Sequence, residues 1–242
     1  MQTENKAIAI IPARGGSKRI PRKNIRDFCG KPMIIYSIET ALKSNLFSDV
    51  IVSTDDQEIA DIAQKAGAEI PFLRPISLSD DFTGTDAVLM HALTNHPGPL
   101  PRYACCIYAT APFVTPEDLR KGLQLLIKHD ATTAISVTHF PYCIHRALTV
   151  NPIGKLQMIW PHNYAKRSQD FPEAMHDAGQ FYWMKTKGYL QQKKMFNTNS
   201  IPVPLHRKQV QDIDTVEDWE FAEILYKAQH TCDTGAAEHR YE

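Results

Sequence analysis

The chain has 242 residues, with 27 Lys+Arg against 27 Asp+Glu and a formal net charge of 0. That length suits one large domain, or one domain with an insertion, whose core needs neither disulfide nor metal. Balanced charge argues against a nucleic-acid partner, since such domains carry an overall basic bias, and no apolar run is long enough to cross a membrane.

A β-branched run, Ile8 to Ile11, predicts a first strand that stops at Pro12. The loop after it, ARGGSKRIPRKNIR, sets Gly15, Gly16 and Ser17 among six cations: Arg14, Lys18, Arg19, Arg22, Lys23 and Arg26. Glycines let backbone N–H groups approach phosphate oxygens, and the cations neutralise their charge, so the loop predicts a polyphosphate site. It is neither a Walker A loop nor a G-x-G-x-x-G dinucleotide fingerprint. A solvated basic surface is the alternative, but the position directly after an apolar strand favours a focused site for a small anion.

Pro32 to Ser44 predicts a helix with Ile34, Ile38, Ala41 and Leu42 on one face, and Val50 to Ser53 a second strand. Thr54 and Gln57 suggest a capping box for a helix with Ile59, Ile62, Ala63 and Ala66 inward, stopped at Gly67. Ile70 to Leu73 reads as a third strand, Thr85 to Leu93 as a helix, and NHPGPLP as a turn-rich connection. Tyr103 to Tyr108 reads as a buried strand that includes Cys105 and Cys106. Thr115-Pro116-Glu117-Asp118 opens another helix, and Thr132 to Val137 is again a strand. Such alternation predicts an α/β fold with a mostly parallel sheet.

From His139 to Gln180 prolines are scattered and no strong helix is visible, with Lys155 to Trp160 as a hairpin strand. Residues 139–180 therefore read as an inserted lobe or dimer arm. Phe181 to Met184 is a strand, Ile201 to Leu205 an edge strand because of Pro202 and Pro204, and Val216 to Ala228 a last helix capped by Thr215. Residues 1–229 are expected to form a single domain and 230–242 a disordered tail. The five cysteines form no CxxC pair, and the N-terminal stretch lacks the pattern of a secretory signal. Both point to the cytoplasm.

Val210-Gln211-Asp212-Ile213-Asp214-Thr215 places two carboxylates at i and i+2, on one face of an extended segment. Such a pair can hold Mg²⁺ and leave room for water and phosphate oxygens. DIDTV also resembles the DxDx[TV] motif of haloacid-dehalogenase phosphatases, whose first Asp is a nucleophile. Too little chain follows it here to build the rest of such a domain.

The signature IPARGGSKRIPRKN resembles the CMP-acylneuraminate synthetases, cytidylyltransferases that activate nine-carbon 2-keto sugar acids. VSTDDQEIA, FLRP, SDDFTGTD, TAPF and QDIDTVED follow in that family's order over nearly the whole chain. CIYATAPF and HDAGQFYW are most similar to the pseudaminic acid cytidylyltransferases, with Ala109 departing from the proline often found there.

The resemblance implies a Rossmann-like nucleotide-diphospho-sugar transferase fold with helices on both faces of a mixed sheet, and a homodimer. It implies attack of the anomeric hydroxyl of pseudaminic acid on the CTP α-phosphate, releasing diphosphate; the alternative is sialic or legionaminic acid as acceptor. Carried over by motif, Arg14, Gly15, Gly16, Ser17, Lys18 and Lys23 would hold the triphosphate, and Asn24 the ribose. Arg74, Asp81 and Thr85 would border the cytosine. Asp212 and Asp214 would hold Mg²⁺ or Mn²⁺, with Arg14, Lys23 and Asp214 as the catalytic set. Tyr108, Thr110, Arg167, Gln169, His176, Asp177 and Gln180 would meet the sugar, with the guanidinium of Arg167 as a fork for its carboxylate.

Overall fold

Strand β1 (Ala7–Pro12) is buried nearly throughout, and its side chains leave for opposite faces in turn. Ala7, Ala9 and Ile11 join one apolar cluster, and Ile8 and Ile10 another. A strand buried on both faces belongs inside a sheet covered by helices on each side. The computed structural model, which describes residues 7–231, has that arrangement.

The other strands, in chain order, are β2 (Asp27–Phe28), β3 (Lys31–Pro32), β4 (Phe47–Ser53), β5 (Tyr103–Ile107), β6 (Thr133–His139), β7 (Leu148–Val150), β8 (Leu156–Met158), β9 (Met175–Lys185) and β10 (Ser200–Pro204). The helices are α1 (Met33–Ser44), α2 (Gln57–Lys65), α3 (Thr85–Thr94), α4 (Pro116–Lys128), α5 (Thr186–Gln192) and α6 (Val216–Thr231). Six strands form the main sheet in the order β10-β6-β9-β5-β1-β4. All its pairs are parallel except those of β9, which runs antiparallel between β6 and β5. The sheet is thus mixed and mostly parallel.

Apolar stripes of α1, α2 and α4 cover one face, and α3 and α5 the other. Cys105 and Cys106 lie on opposite faces, as adjacent strand residues must. A third cluster seats α6: Trp219 and Ala222 pack with Ile20, Phe28, Met33, Tyr36 and Ile213. Burying a side chain as large as Trp219 contributes about 1.5–3 kcal/mol, and here it fastens the C-terminal segment to the loop after β1.

Several expectations need correction. The cap of α2 is Asp56, whose Oδ1 accepts from Ile59 N at 3.0 Å, while Thr54 accepts from Asp56 N. Ile70 to Leu73 form no strand; only Glu69 bridges Ile51, and Pro71 has no N–H with which to extend the ladder. Strand β9 begins at Met175, so His176, Asp177 and Gln180 belong to the main sheet and not to the lobe. Residues 210–215 belong to no strand, so the two carboxylates sit on a connecting segment that bends at Thr215 into α6. Helix α6 runs on to Thr231; the rest of the expected tail, with Cys232, lies outside the described residues.

Candidate active site

The loop after β1 is tied down at both ends by acids that follow β4. Gly15 N donates to Asp55 Oδ1 at 3.1 Å. Arg22 forks onto Asp56 at 2.5 and 3.0 Å and reaches Glu58 at 2.5 Å. Arg22 sits at φ 56, a left-handed conformation that costs a non-glycine residue roughly 1–3 kcal/mol and that the fork offsets. The hydrogen bond to Asp56 raises the Arg22 pKa, and the same bond lowers that of Asp56. Asp56 also packs directly under Gly15, where an added Cβ would lie 2.6 Å from its Oδ2, so only glycine fits. Gly16 has open space around it.

The loop faces a cleft of about 510 Å³. Arg14, Ser17, Lys18, Lys23 and Asn24 line one wall, and Arg74, Asp81 and Thr85 line another. Tyr108 and Thr110, just past β5, and Asp214 close it. Arg14 and Lys18 converge on Asp81, at 3.0 and 2.5 Å, and Lys18 foremost lowers the Asp81 pKa. Arg19 reaches Asp214 at 2.9 Å; Lys23 lies 3.6 Å from the same oxygen and donates to Ile213 O at 2.6 Å. Asn24 is buried and donates to Arg14 O at 2.9 Å, bracing the loop. Arg74 is buried beside Asp55 and Ser79, and burial lowers its pKa. The Tyr108 hydroxyl lies 3.1 Å from Thr85 Oγ1, and burial pushes its pKa up to about 12.

Ile213, wholly buried in the third cluster, anchors the segment that carries the two carboxylates. Thr215 and Asp218 cap α6 reciprocally, which leaves Asp212 and Asp214 to the cavities. Asp214 borders both the cleft and a second groove of about 720 Å³, where Asp212, His176 and Asp177 lie. Asp212 keeps an accessible edge on that groove, yet the atoms packed about its carboxyl raise its pKa, followed by the charge of Asp214. No group of three or more His, Cys, Asp or Glu among the described residues is arranged to hold a metal. Two carboxylates, one of them made reluctant to ionise partly by the other, nevertheless suit a hard divalent cation that takes few protein oxygens and keeps its waters.

Of the expected sugar residues, His176 and Asp177 lie in the second groove, and three reach neither it nor the cleft. Arg167 is 72% exposed and forks onto Asp170 at 3.0 Å through two nitrogens. Gln169 lines a separate groove within the inserted segment. Gln180 is wholly buried and donates to Ala178 O at 2.9 Å. Conversely, Asp55, Asp56 and Arg22 escaped the sequence reading as a unit. The capping box expected at Thr54 and Gln57 drew the cap away from Asp56, which both caps α2 and holds Arg22.

A sheet of this topology, with a cation-lined cleft beyond the ends of β1 and β5, defines a nucleotide-handling α/β protein. The solved structure of a CMP-2-keto-3-deoxy-manno-octonic acid synthetase complexed with CTP shares the fold, with a TM-score of 0.69, 18% identity and coverage of 93% of this chain and 100% of that one. A 4-diphosphocytidyl-2C-methyl-D-erythritol synthase from Anaerococcus prevotii shares it as well (TM-score 0.63, 15% identity, 92% and 99% covered). The cytidylyltransferase family model matches residues 8–229, and the chain belongs to that family; it is a nucleotidyltransferase. Among curated relatives, the pseudaminic acid cytidylyltransferase of Campylobacter jejuni is 44% identical over 227 residues, covering 93% of this chain and 98% of the relative. The CMP-N,N'-diacetyllegionaminic acid synthase of Legionella pneumophila is 28% identical, covering 90% and 95%. No helix among the described residues is long and apolar enough to cross a membrane.

Proposed function

We propose that the protein transfers CMP from CTP to pseudaminic acid, with diphosphate as the leaving group. The observation that carries this reading is the convergence of Arg19 and Lys23 on Asp214 across a cleft lined by the cation loop. Such a cleft places opposite charges where a triphosphate and its counter-ion would meet. The similarity to the Campylobacter jejuni relative, greater than that to the legionaminic acid synthase, favours pseudaminic acid as acceptor.

Catalysis in this reading is positioning and charge neutralisation. Arg14, Ser17 and Lys18, with the backbone N–H of Gly16, spread over the phosphates; the N–H of Gly15 is engaged by Asp55, so Gly15 serves by letting the loop pack against Asp56. Asn24 lies toward the ribose, and Arg74, Asp81 and Thr85 border the base. Lys23, held by the Ile213 carbonyl and by Asp214, stays beside the reacting phosphate. Asp212 and Asp214 would hold Mg²⁺ or Mn²⁺, which when bound screens phosphate charge and lowers the pKa of a coordinated hydroxyl. His176 and Asp177, in the groove beside Asp212, and Tyr108 and Thr110 serve the sugar.

Arg167 and Gln169 would reach a sugar only across an interface between two copies. Leu148, Val150, Ile153, Leu156 and Tyr164 are 58–77% exposed on the same segment, an apolar surface that supports the lobe as a dimer arm. We take residues 1–229 as one catalytic domain. We place the reaction in the cytoplasm, where CTP and reduced thiols such as those of Cys105 and Cys106 occur. Diphosphate release from CTP, measured with a panel of nine-carbon 2-keto sugar acids, tests the assignment. Turnover with pseudaminic acid is expected; turnover with sialic or legionaminic acid alone would overturn it.

A further inference from the structure

The acidic groove beside the cleft also holds two cations, Arg207 and Lys208, on a short turn that follows β10. The backbone of that turn is pinned from two sides. Leu205 N donates to Val137 O at 2.8 Å and Leu205 O accepts from Thr138 Oγ1 at 3.1 Å, while Lys208 O accepts from Gln229 Nε2 at 2.5 Å. The two side chains are exposed, and neither makes a hydrogen bond or ion pair with any described residue. Every other arginine among the described residues is engaged by an acid, a carbonyl or an aromatic ring; Arg146 reaches Lys166 O, and Arg26 lies over Trp219. Arg207 alone has been given a fixed backbone and nothing to hold.

Four aspartates line the same groove, yet none of them answers this charge. Asp177 accepts from the Tyr182 hydroxyl and from Gly179 N. Asp218 accepts from Asp214 N and Thr215 N at the start of α6. Asp214 is met by Arg19 and Lys23 from the cleft side. The Asp212 carboxylate makes no hydrogen bond or ion pair with a described residue either, and it does not pair with Arg207. One groove thus keeps an unpaired cation and an unpaired anion that do not meet.

A 2-keto sugar acid in its ring form carries its reacting hydroxyl and its carboxylate on the same carbon. The partner of the carboxylate must therefore stand in the groove where the hydroxyl is presented. Aspartates alone would repel an acid there, and a cation is needed to offset them. A guanidinium offers a carboxylate two parallel N–H donors, which fix its plane as well as its charge. We propose that Arg207, assisted by Lys208, takes the carboxylate of the sugar acid and so determines specificity for an acidic acceptor. The hydroxyl on the same carbon is thereby turned toward Asp212 and the cleft. The inference rests on the reading of cleft and groove as one nucleotidyl-transfer site. Arg167, forked onto Asp170 in the inserted segment, is relieved of the carboxylate.

Diphosphate release by the full chain, with CTP and either pseudaminic acid or its methyl ester, tests it. The ester keeps the reacting hydroxyl and removes the charge. The parent is expected to prefer the acid by at least about tenfold in kcat/KM. Arg207→Ala is expected to lose most of that preference, because the KM for the acid rises about tenfold while those for the ester and for CTP stay near the parental values. Arg207→Lys keeps a charge without the fork and is expected to fall between the two. Melting temperatures should agree throughout, since the side chain is exposed. A parent indifferent to the ester, or an Arg207→Ala variant that keeps the parental ratio of acid to ester, overturns this inference alone. A parent that releases diphosphate with no nine-carbon 2-keto sugar acid overturns the proposed function and this inference together.

Discussion

Two arginines forked onto aspartates show how differently two regions of this molecule use the same contact. Arg22, in the cation loop, pairs with Asp56 across 34 positions and with Glu58 beside it. Arg167, in the inserted segment, pairs with Asp170 only three positions on. The first contact fastens a loop to the frame of the main sheet, and it works together with the close fit of Asp56 under Gly15. The second orders a single exposed turn, and exposed pairs of this kind contribute little. A loop held by distant partners can keep its remaining cations aimed at one place; a lobe held by its own neighbours awaits a further surface.

The comparison breaks most sharply at the point where the loop meets the C-terminal segment. Asp214→Ala is expected to lower turnover by about a thousandfold or more, with partial retention of CTP binding, measured as diphosphate release alongside calorimetry. Its side chain is 41% exposed, so the fold should survive the change. Unchanged turnover would refute a role for Asp214 beside the phosphates. Lys23→Ala is expected to lower kcat/KM by about a hundredfold, through both a higher KM for CTP and a lower kcat, since Lys23 touches the segment and the cleft together. A change in kcat with KM untouched would show that it does not hold the nucleotide.

Asp212 sharpens the contrast through pH. Its pKa is raised by burial and by Asp214, so it binds a proton more tightly in the folded chain than in the unfolded one. Its ionisation therefore opposes folding. The cost is absent below the ordinary carboxylate pKa, grows as pH rises through the raised one, and is full above it. Asp212→Asn removes the cost, so the metal-free variant is expected to melt above the parent near about pH 7, with the gain vanishing toward about pH 4. A gain that does not change with pH would mean the effect is not electrostatic.

The frame of the molecule was legible because local periodicity encodes it. Ile8 to Ile11 and Leu119, Leu123 and Leu126 announce a buried strand and an amphipathic helix within a few residues. The cation loop was legible for the same reason, since its glycines and cations are contiguous. What escaped depends on contacts between distant positions. Asp56 caps α2 where Thr54 was expected to, and also anchors Arg22; Tyr182 sits in the core strand and also donates to Asp177. Glu69 bridges Ile51 where a whole strand was expected, because Pro71 withholds a donor that no hydrophobicity pattern reveals.

Arg167 carries the smallest expected effect on the chain itself and the most information about the lobe. Loss of an exposed three-residue pair changes stability by less than about 0.5 kcal/mol, so Arg167→Ala should melt with the parent. If the lobe meets a second copy, the same variant raises the KM for the sugar and leaves that for CTP alone. Leu156→Asp, on the 72% exposed hairpin residue, should then convert a dimer to a monomer in sedimentation and reproduce the same rise. An Arg167→Ala effect confined to CTP would place this arginine with the cation loop after all, and its fork to Asp170 would have to open to get there.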